Sequence, residues 1–228
     1  MQLLLVRHGD PHYPTDSLTE RGHAEAQRLA EVLDDVPIDV LYASTMGRAR
    51  QTAAYTARRR ELEPILCDWL RELDGRYGPE PDPEDPLGLQ PSAYEWHPTV
   101  LLRNGAVSYD RWPEEVPYGP WMEPQCRRLW AGFDGALASE GYARDGLCYR
   151  VEHRSTRTLA FFCHGGVIAA LLAHLLYLPL PVSLALLQHD TTGFTLLRSM
   201  ESEGRAAFRM LFLNSVAHKD LYRLARHP

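Results

Sequence analysis

Only four of the 228 residues are cysteine, and Cys67, Cys126, Cys148 and Cys163 stand far apart with no CxxC pair. That spacing offers neither a disulfide framework nor a structural zinc site, so a reducing cytoplasm is the simplest expected setting. A long apolar run is missing too. The longest, over residues 167–187, is broken by His174, Pro179, Pro181 and Ser183, and its unbroken parts fall short of the roughly 20 residues of a membrane span. The apolar stretch over 2–6 is too short for the core of a signal peptide and reads as a buried strand. Neither sign of charge dominates any face: the formal net charge is −6, with acids spread along the chain. This argues against a nucleic-acid or anionic-membrane partner, and any anion site has to come from arginines brought together locally.

At 228 residues the chain can bury a full core without metal or disulfide, and a single domain over 1–228 is expected. Residues 3–6 form a compact apolar run that ends in Arg7-His8-Gly9, as a buried strand does when it delivers side chains to a loop. Thr19 is placed to cap a helix, and Ala26, Leu29, Ala30 and Leu33 follow at helical spacing to about Asp34. A strand over 39–43 leads to a second helix, for which Ser44-Thr45 serve as the cap, and a short strand covers 64–67. A clean stripe, Cys126, Leu129, Trp130, Phe133, Ala136 and Leu137, predicts a helix that stops at Gly141. The apolar run over 158–163 ends in His164-Gly165-Gly166, a second strand delivering a histidine, before an apolar helix over 167–176. Runs over 192–197 and 207–213 read as a closing strand pair. Alternating strands and helices predict an α/β fold with a largely parallel sheet covered on both sides.

Residues 76–121 differ in character: they hold nine of the seventeen prolines, four acids between Glu80 and Asp85, and aromatics that include Tyr94, Trp96, Tyr109, Trp112 and Tyr118. So long an irregular segment reads as an insertion, a lid whose aromatics pack over a bound ligand.

Phosphoryl transfer by side chains alone needs an unprotonated nucleophile, fixed positive donors and an acid for the leaving alcohol. His8 can supply the first, because a neutral imidazole attacks phosphorus once its other nitrogen is held by a fixed acceptor. Arg7 beside it can hold phosphate oxygens bidentately. Five blocks then stand in order: Arg7-His8-Gly9, Leu18-Thr19-Glu20-Arg21-Gly22, the stretch over 44–53 containing Arg48-Ala49, Leu70-Arg71-Glu72, and His164-Gly165-Gly166. Together they resemble the histidine phosphatase, or phosphoglycerate mutase-like, family (branch 1). The resemblance covers roughly the first 75 residues and the stretch from 158 onward. After Arg-His-Gly the family often has an acid and then Thr, where this chain has Asp10-Pro11-His12-Tyr13.

The resemblance implies a three-layer α/β/α sandwich with a mostly parallel sheet and one antiparallel strand. It makes His8 the nucleophile, Arg7, Arg48 and His164 the phosphate pocket, and Glu72 the proton donor, with Asp74 as the alternative donor. It implies no metal, no organic cofactor and a small-molecule phosphate ester as partner, and leaves oligomeric state open. The activity implied is that of a phosphatase working through a phosphohistidine. Three other readings are weighed against it. A mutase would return the phosphoryl group to another hydroxyl. A metal-dependent hydrolase would use His8, Asp10, His12, His189 and Asp190 as ligands, but leaves both arginine blocks without a role. A non-catalytic module would only bind a phosphorylated ligand, although every catalytic position is filled.

Overall fold

A computed structural model describes residues 1–75, 105, 107–115, 118–216 and 218–219. Strand β1 (Gln2–Arg7) comes first, followed by a small hairpin of β2 (Pro11–His12) and β3 (Ser17–Leu18). Helix α1 (Glu20–Val32) starts where expected: the Thr19 side chain accepts the Gly22 N–H, and Leu29 and Leu33 lie on its inner side. Strand β4 (Val40–Ser44) precedes helix α2 (Gly47–Arg60), and β5 (Ile65–Cys67) follows. The cap of α2 differs from expectation. Its first free N–H, on Gly47, is accepted at 2.7 Å by the Asp16 carboxylate, from the loop before β3, while Ser44 and Thr45 precede the helix without capping it. Asp16 takes a left-handed conformation, with φ 49°, to reach there.

Beyond the insertion come α3 (Glu123–Ser139), the hairpin β6 (Tyr142–Asp145) and β7 (Cys148–Val151), and strand β8 (Thr158–Cys163). Helices α4 (Gly165–Leu176) and α5 (Leu180–Leu186) follow, and β9 (Phe194–Ser202) with β10 (Arg205–Ser215) close the described chain. The β9–β10 turn is just Glu203-Gly204, both at positive φ, the geometry whose twist matches the flanking strands.

The sheet has eight strands in the order β5-β4-β8-β1-β9-β10-β7-β6. Strands β5, β4, β8 and β1 are parallel, and β9 joins β1 antiparallel. Where the family pattern implied a single antiparallel strand, the sheet continues through four strands joined by antiparallel pairings, of which β9 and β7 run opposite to β1, with the β6–β7 hairpin docked on β10. Alternation along β1 explains the layers. Leu3 and Leu5 join Phe161 under α3 and α4, with Leu129, Phe133, Ile168 and Leu172. Leu4 and Val6 join Phe162 under α1 and α2, with Leu29, Leu33, Ala53 and Ala57. β8 is buried along its whole length, as a central parallel strand covered on both faces must be.

The predicted lid lies for the most part outside the described residues, Tyr94 and Trp96 included. Of its described aromatics, Trp112 and Tyr118 serve the core, whereas Tyr109 and Trp121 are exposed. Trp112 and Tyr118 are each 4% exposed and Trp112 meets both Tyr118 and Trp130 edge to face, on the α3 side of the sheet.

The loop after β1 is pressed against the start of α1. A Cβ on Gly22 would stand 2.2 Å from the Asp10 carbonyl oxygen, and one on Gly9 would stand 2.7 Å from that of Gly22. Gly22→Ala should therefore destabilise the protein by about 1–3 kcal/mol through forced backbone displacement. Urea unfolding should show a lower midpoint with an unchanged slope.

Candidate active site

Parallel neighbours end together. With Arg7 opposite Cys163 in the β1–β8 register, the next residues, His8 and His164, leave the sheet side by side. Their ring centroids are 5.2 Å apart in an edge-to-face arrangement, and the His8 backbone N–H donates to the Cys163 carbonyl at 3.0 Å. From the other flank, the Thr192 N–H reaches both the Arg7 and the His8 carbonyl, at 3.1 and 3.0 Å.

The His8 tautomer follows from its partners. Nδ1 lies 2.7 Å from the Gly9 carbonyl, which can only accept, so Nδ1 carries the proton and Nε2 presents a lone pair. Arg48 Nε donates to that lone pair at 3.1 Å. Burial, together with the Arg48 and Arg7 charges and against the opposing Gly9 hydrogen bond, lowers the His8 pKa to about 4. The ring is neutral at physiological pH. His164 is fully buried, and its pKa lies well below the ordinary value, first by burial and then by His8, Arg48 and Arg7. Its Nε2 is 2.9 Å from Ser44 Oγ, at the end of the adjacent β4.

Arg48 stands in the first turn of α2, where β4 hands over to the helix. Asp16 fixes it, its second carboxylate oxygen accepting from Arg48 Nη1 at 2.6 Å, so one carboxylate caps the helix and aims the guanidinium. Arg7 Nη1 donates to the His189 carbonyl. Arg7 Nε and His164 Nδ1 are buried with no hydrogen-bond partner among the described residues. Buried donors left open at a site rich in guanidinium groups describe a place prepared for an anion. Glu72 is half-buried, and burial raises its carboxyl pKa, against the lowering effects of the Leu73 N–H, Arg7, Arg48 and the Gly166 N–H at the start of α4. Arg7, Arg48, Glu72, Gly165 and Gly166 border one cavity of about 350 Å³.

All five predicted residues, Arg7, His8, Arg48, Glu72 and His164, thus converge. Asp74 is exposed and its backbone is tied to the Gln125 side chain, at 2.7 Å through its N–H and 3.0 Å through its carbonyl; it does not border the cavity. The alternative ligand set does not assemble. His12 binds Thr15, Asp10 binds Thr19, His189 Nε2 binds Thr195 and Asp190 binds Asn214, and among the described residues no three His, Cys, Asp or Glu side chains are grouped to hold a metal. Asp16 is a participant that the sequence reading did not name, and Ser44 and His189 take part in roles other than the helix cap and metal ligand assigned to them there. Asp16 lies 32 residues from its arginine, with no motif to announce it.

A family model described as histidine phosphatase superfamily (branch 1) matches residues 3–82. The adenosylcobalamin/alpha-ribazole phosphatase of Salmonella typhimurium is 26% identical over 200 residues, covering 78% of this chain and 81% of that protein. Phosphoserine phosphatase 1 of Hydrogenobacter thermophilus is 32% identical over 83 residues, 32% of this chain and 39% of that one. Among solved structures, the mycobacterial glucosyl-3-phosphoglycerate phosphatase with inorganic phosphate superposes with a TM-score of 0.65 at 25% identity, over 96% of this chain and 99% of that one. Over residues 3–82 the chain matches the histidine phosphatase superfamily, and along most of its length it is similar to phosphatases.

Four imidazoles, three buried and His218 half-buried, make stability depend on pH. His8, His189 and His218 have pKa values of about 4, and that of His164 lies well below the ordinary 6.5, burial being the main cause each time. The unfolded chain takes up these protons first, so stability is complete above pH 6.5 and is lost as pH falls from there toward about 4. Glu72, with its raised pKa, acts in the opposite sense, one group against four. Thermal unfolding followed by circular dichroism should show a falling Tm across that window, and a flat profile would contradict the neutral histidines.

Proposed function

We propose that this chain hydrolyses a phosphate monoester through a phosphohistidine formed on His8. The observation that supports this most is the fixed His8 tautomer, Nδ1 held by Gly9 and the Nε2 lone pair directed toward a guanidinium. An arriving phosphate draws the Arg48 donors onto its own oxygens and uncovers Nε2 for attack. Nε2 bonds to phosphorus while the ester P–O bond breaks, and Glu72 gives its proton to the departing alkoxide. Water then attacks phosphorus, the Glu72 carboxylate takes a water proton, and the N–P bond breaks to restore neutral His8 and release phosphate. Arg7, Arg48 and His164 stabilise the equatorial oxygens, where charge accumulates. The raised pKa of Glu72 suits a group that must be acid first and base second. Water, not a second substrate hydroxyl, is taken as the acceptor, in line with the phosphatases to which the chain is similar.

The reading requires no metal, and a cytoplasmic setting is part of it. Cys67, Cys126 and Cys163 are buried as free thiols, and among the described residues no helix is long and apolar enough to cross a membrane.

His8→Ala should abolish phosphate release and the trapping of a radiolabelled phosphoenzyme, whereas exhaustive chelation should leave wild-type turnover intact. Wild-type rates in His8→Ala would overturn the nucleophile assignment. The pH profile supplies a separate check. Since kcat/KM needs neutral His8, it should decline as pH falls through about 4. Since it also needs protonated Glu72, it should decline again as pH rises through that residue's raised pKa. Glu72→Gln should remove the alkaline limb and lower kcat by about 10²–10⁴-fold for alkyl esters, with a smaller loss for aryl esters, whose leaving oxygen needs less protonation.

A further inference from the structure

Past the phosphate end, the cavity changes chemistry. Its other walls include Ala169 on α4, Leu184 and Leu187 at the end of α5, Gln188 and Tyr13. Among the described residues that border it, the cations are Arg7 and Arg48. Both serve the phosphate end in the reading above, Arg48 also bonding His8 and Asp16 and Arg7 the His189 carbonyl. His189 adds no charge. Its ring is fixed between Thr195 Oγ1 at 2.6 Å and the Leu187 carbonyl at 3.2 Å, and burial keeps it neutral, with a pKa of about 4. The remaining ionisable wall is Glu72. Tyr13 is 66% exposed and its ring lies beneath Arg48, with the guanidinium carbon 5.5 Å from the ring centroid.

From this distribution we infer that the site takes phosphate esters of uncharged alcohols that carry an apolar or aromatic face, with Leu184, Leu187 and Tyr13 setting the preference. The inference rests on the phosphatase reading above and concerns its substrate. A leaving group bearing a carboxylate or a second phosphate would set that charge against leucine side chains and near Glu72, with no further cation among the described wall residues to meet it. Stripping water from an unpaired charge is costly. A neutral ring loses nothing there: it covers Leu184 and Leu187, stacks at the exposed Tyr13 face, and can offer a hydroxyl to the Gln188 amide.

A matched pair of esters tests this, 4-carbamoylphenyl phosphate against 4-carboxyphenyl phosphate, which share ring size and the bond to be broken and differ in charge. The neutral ester should have the higher kcat/KM by about tenfold or more. Leu187→Arg, at a half-buried wall position, should shrink or invert that ratio by giving the carboxylate a partner. Calorimetric binding of both esters to the His8→Ala protein reads the same preference without turnover. Equal values, or a preference for the carboxylate ester, would overturn the inference even with hydrolysis proceeding. Tighter binding of the neutral ester without wild-type hydrolysis would uphold the inference about the pocket and remove the phosphatase reading.

Discussion

The molecule depends first on one strand pairing, β1 with β8 in parallel register. Because Leu3 to Arg7 lie opposite Leu159 to Cys163, two histidines separated by over a hundred and fifty residues leave the sheet at the same height. Around that pair the other groups need only short extensions. Ser44 ends the strand on the far side of β8, Arg48 opens the helix that follows it, and Gly165-Gly166 begin the helix after His164. A shift of two residues in this one register would keep every side chain on its proper face of the sheet and still separate the imidazoles.

The electrostatics follow from that crowding. Two imidazoles and two guanidiniums packed this closely could not all bear charge at modest cost. The structure resolves this by keeping both rings neutral, through burial and through the arginines themselves. The condition that lets these groups pack together is the same condition that gives His8 its lone pair. Asp16 offsets one of the two fixed charges from outside, and so permits Arg48 to lie against a histidine at all.

Much of this could be read from residues in order. Strands that end in Arg-His-Gly and His-Gly-Gly carry a continuous apolar signal, and Thr19 with its following stripe defines α1 by local chemistry alone. What escaped reading is what depends on distant partners. Ser44 has the composition of a cap, but the β4–β8 pairing places it on His164, and the cap role passes to Asp16. The β6 and β7 strands, four residues each, mix Arg144 and Arg150 with single buried tyrosines, too short for a period to show. Trp112 and Tyr118 belong to a proline-rich stretch that looks like a cover, yet they are drawn into the core by Trp130 and the α3 stripe.

The position of β1 between β8 and β9 has a consequence for biosynthesis. Strand β1 is synthesised well before the two segments that cover its edges, since β8 begins at Thr158 and β9 at Phe194. Until those arrive, an apolar ribbon with two unpaired edges waits in the growing polypeptide, a form prone to mispairing. Catalytic competence therefore cannot build up gradually during translation, and a message truncated before Phe194 would yield a product that needs chaperone cover rather than a weaker enzyme.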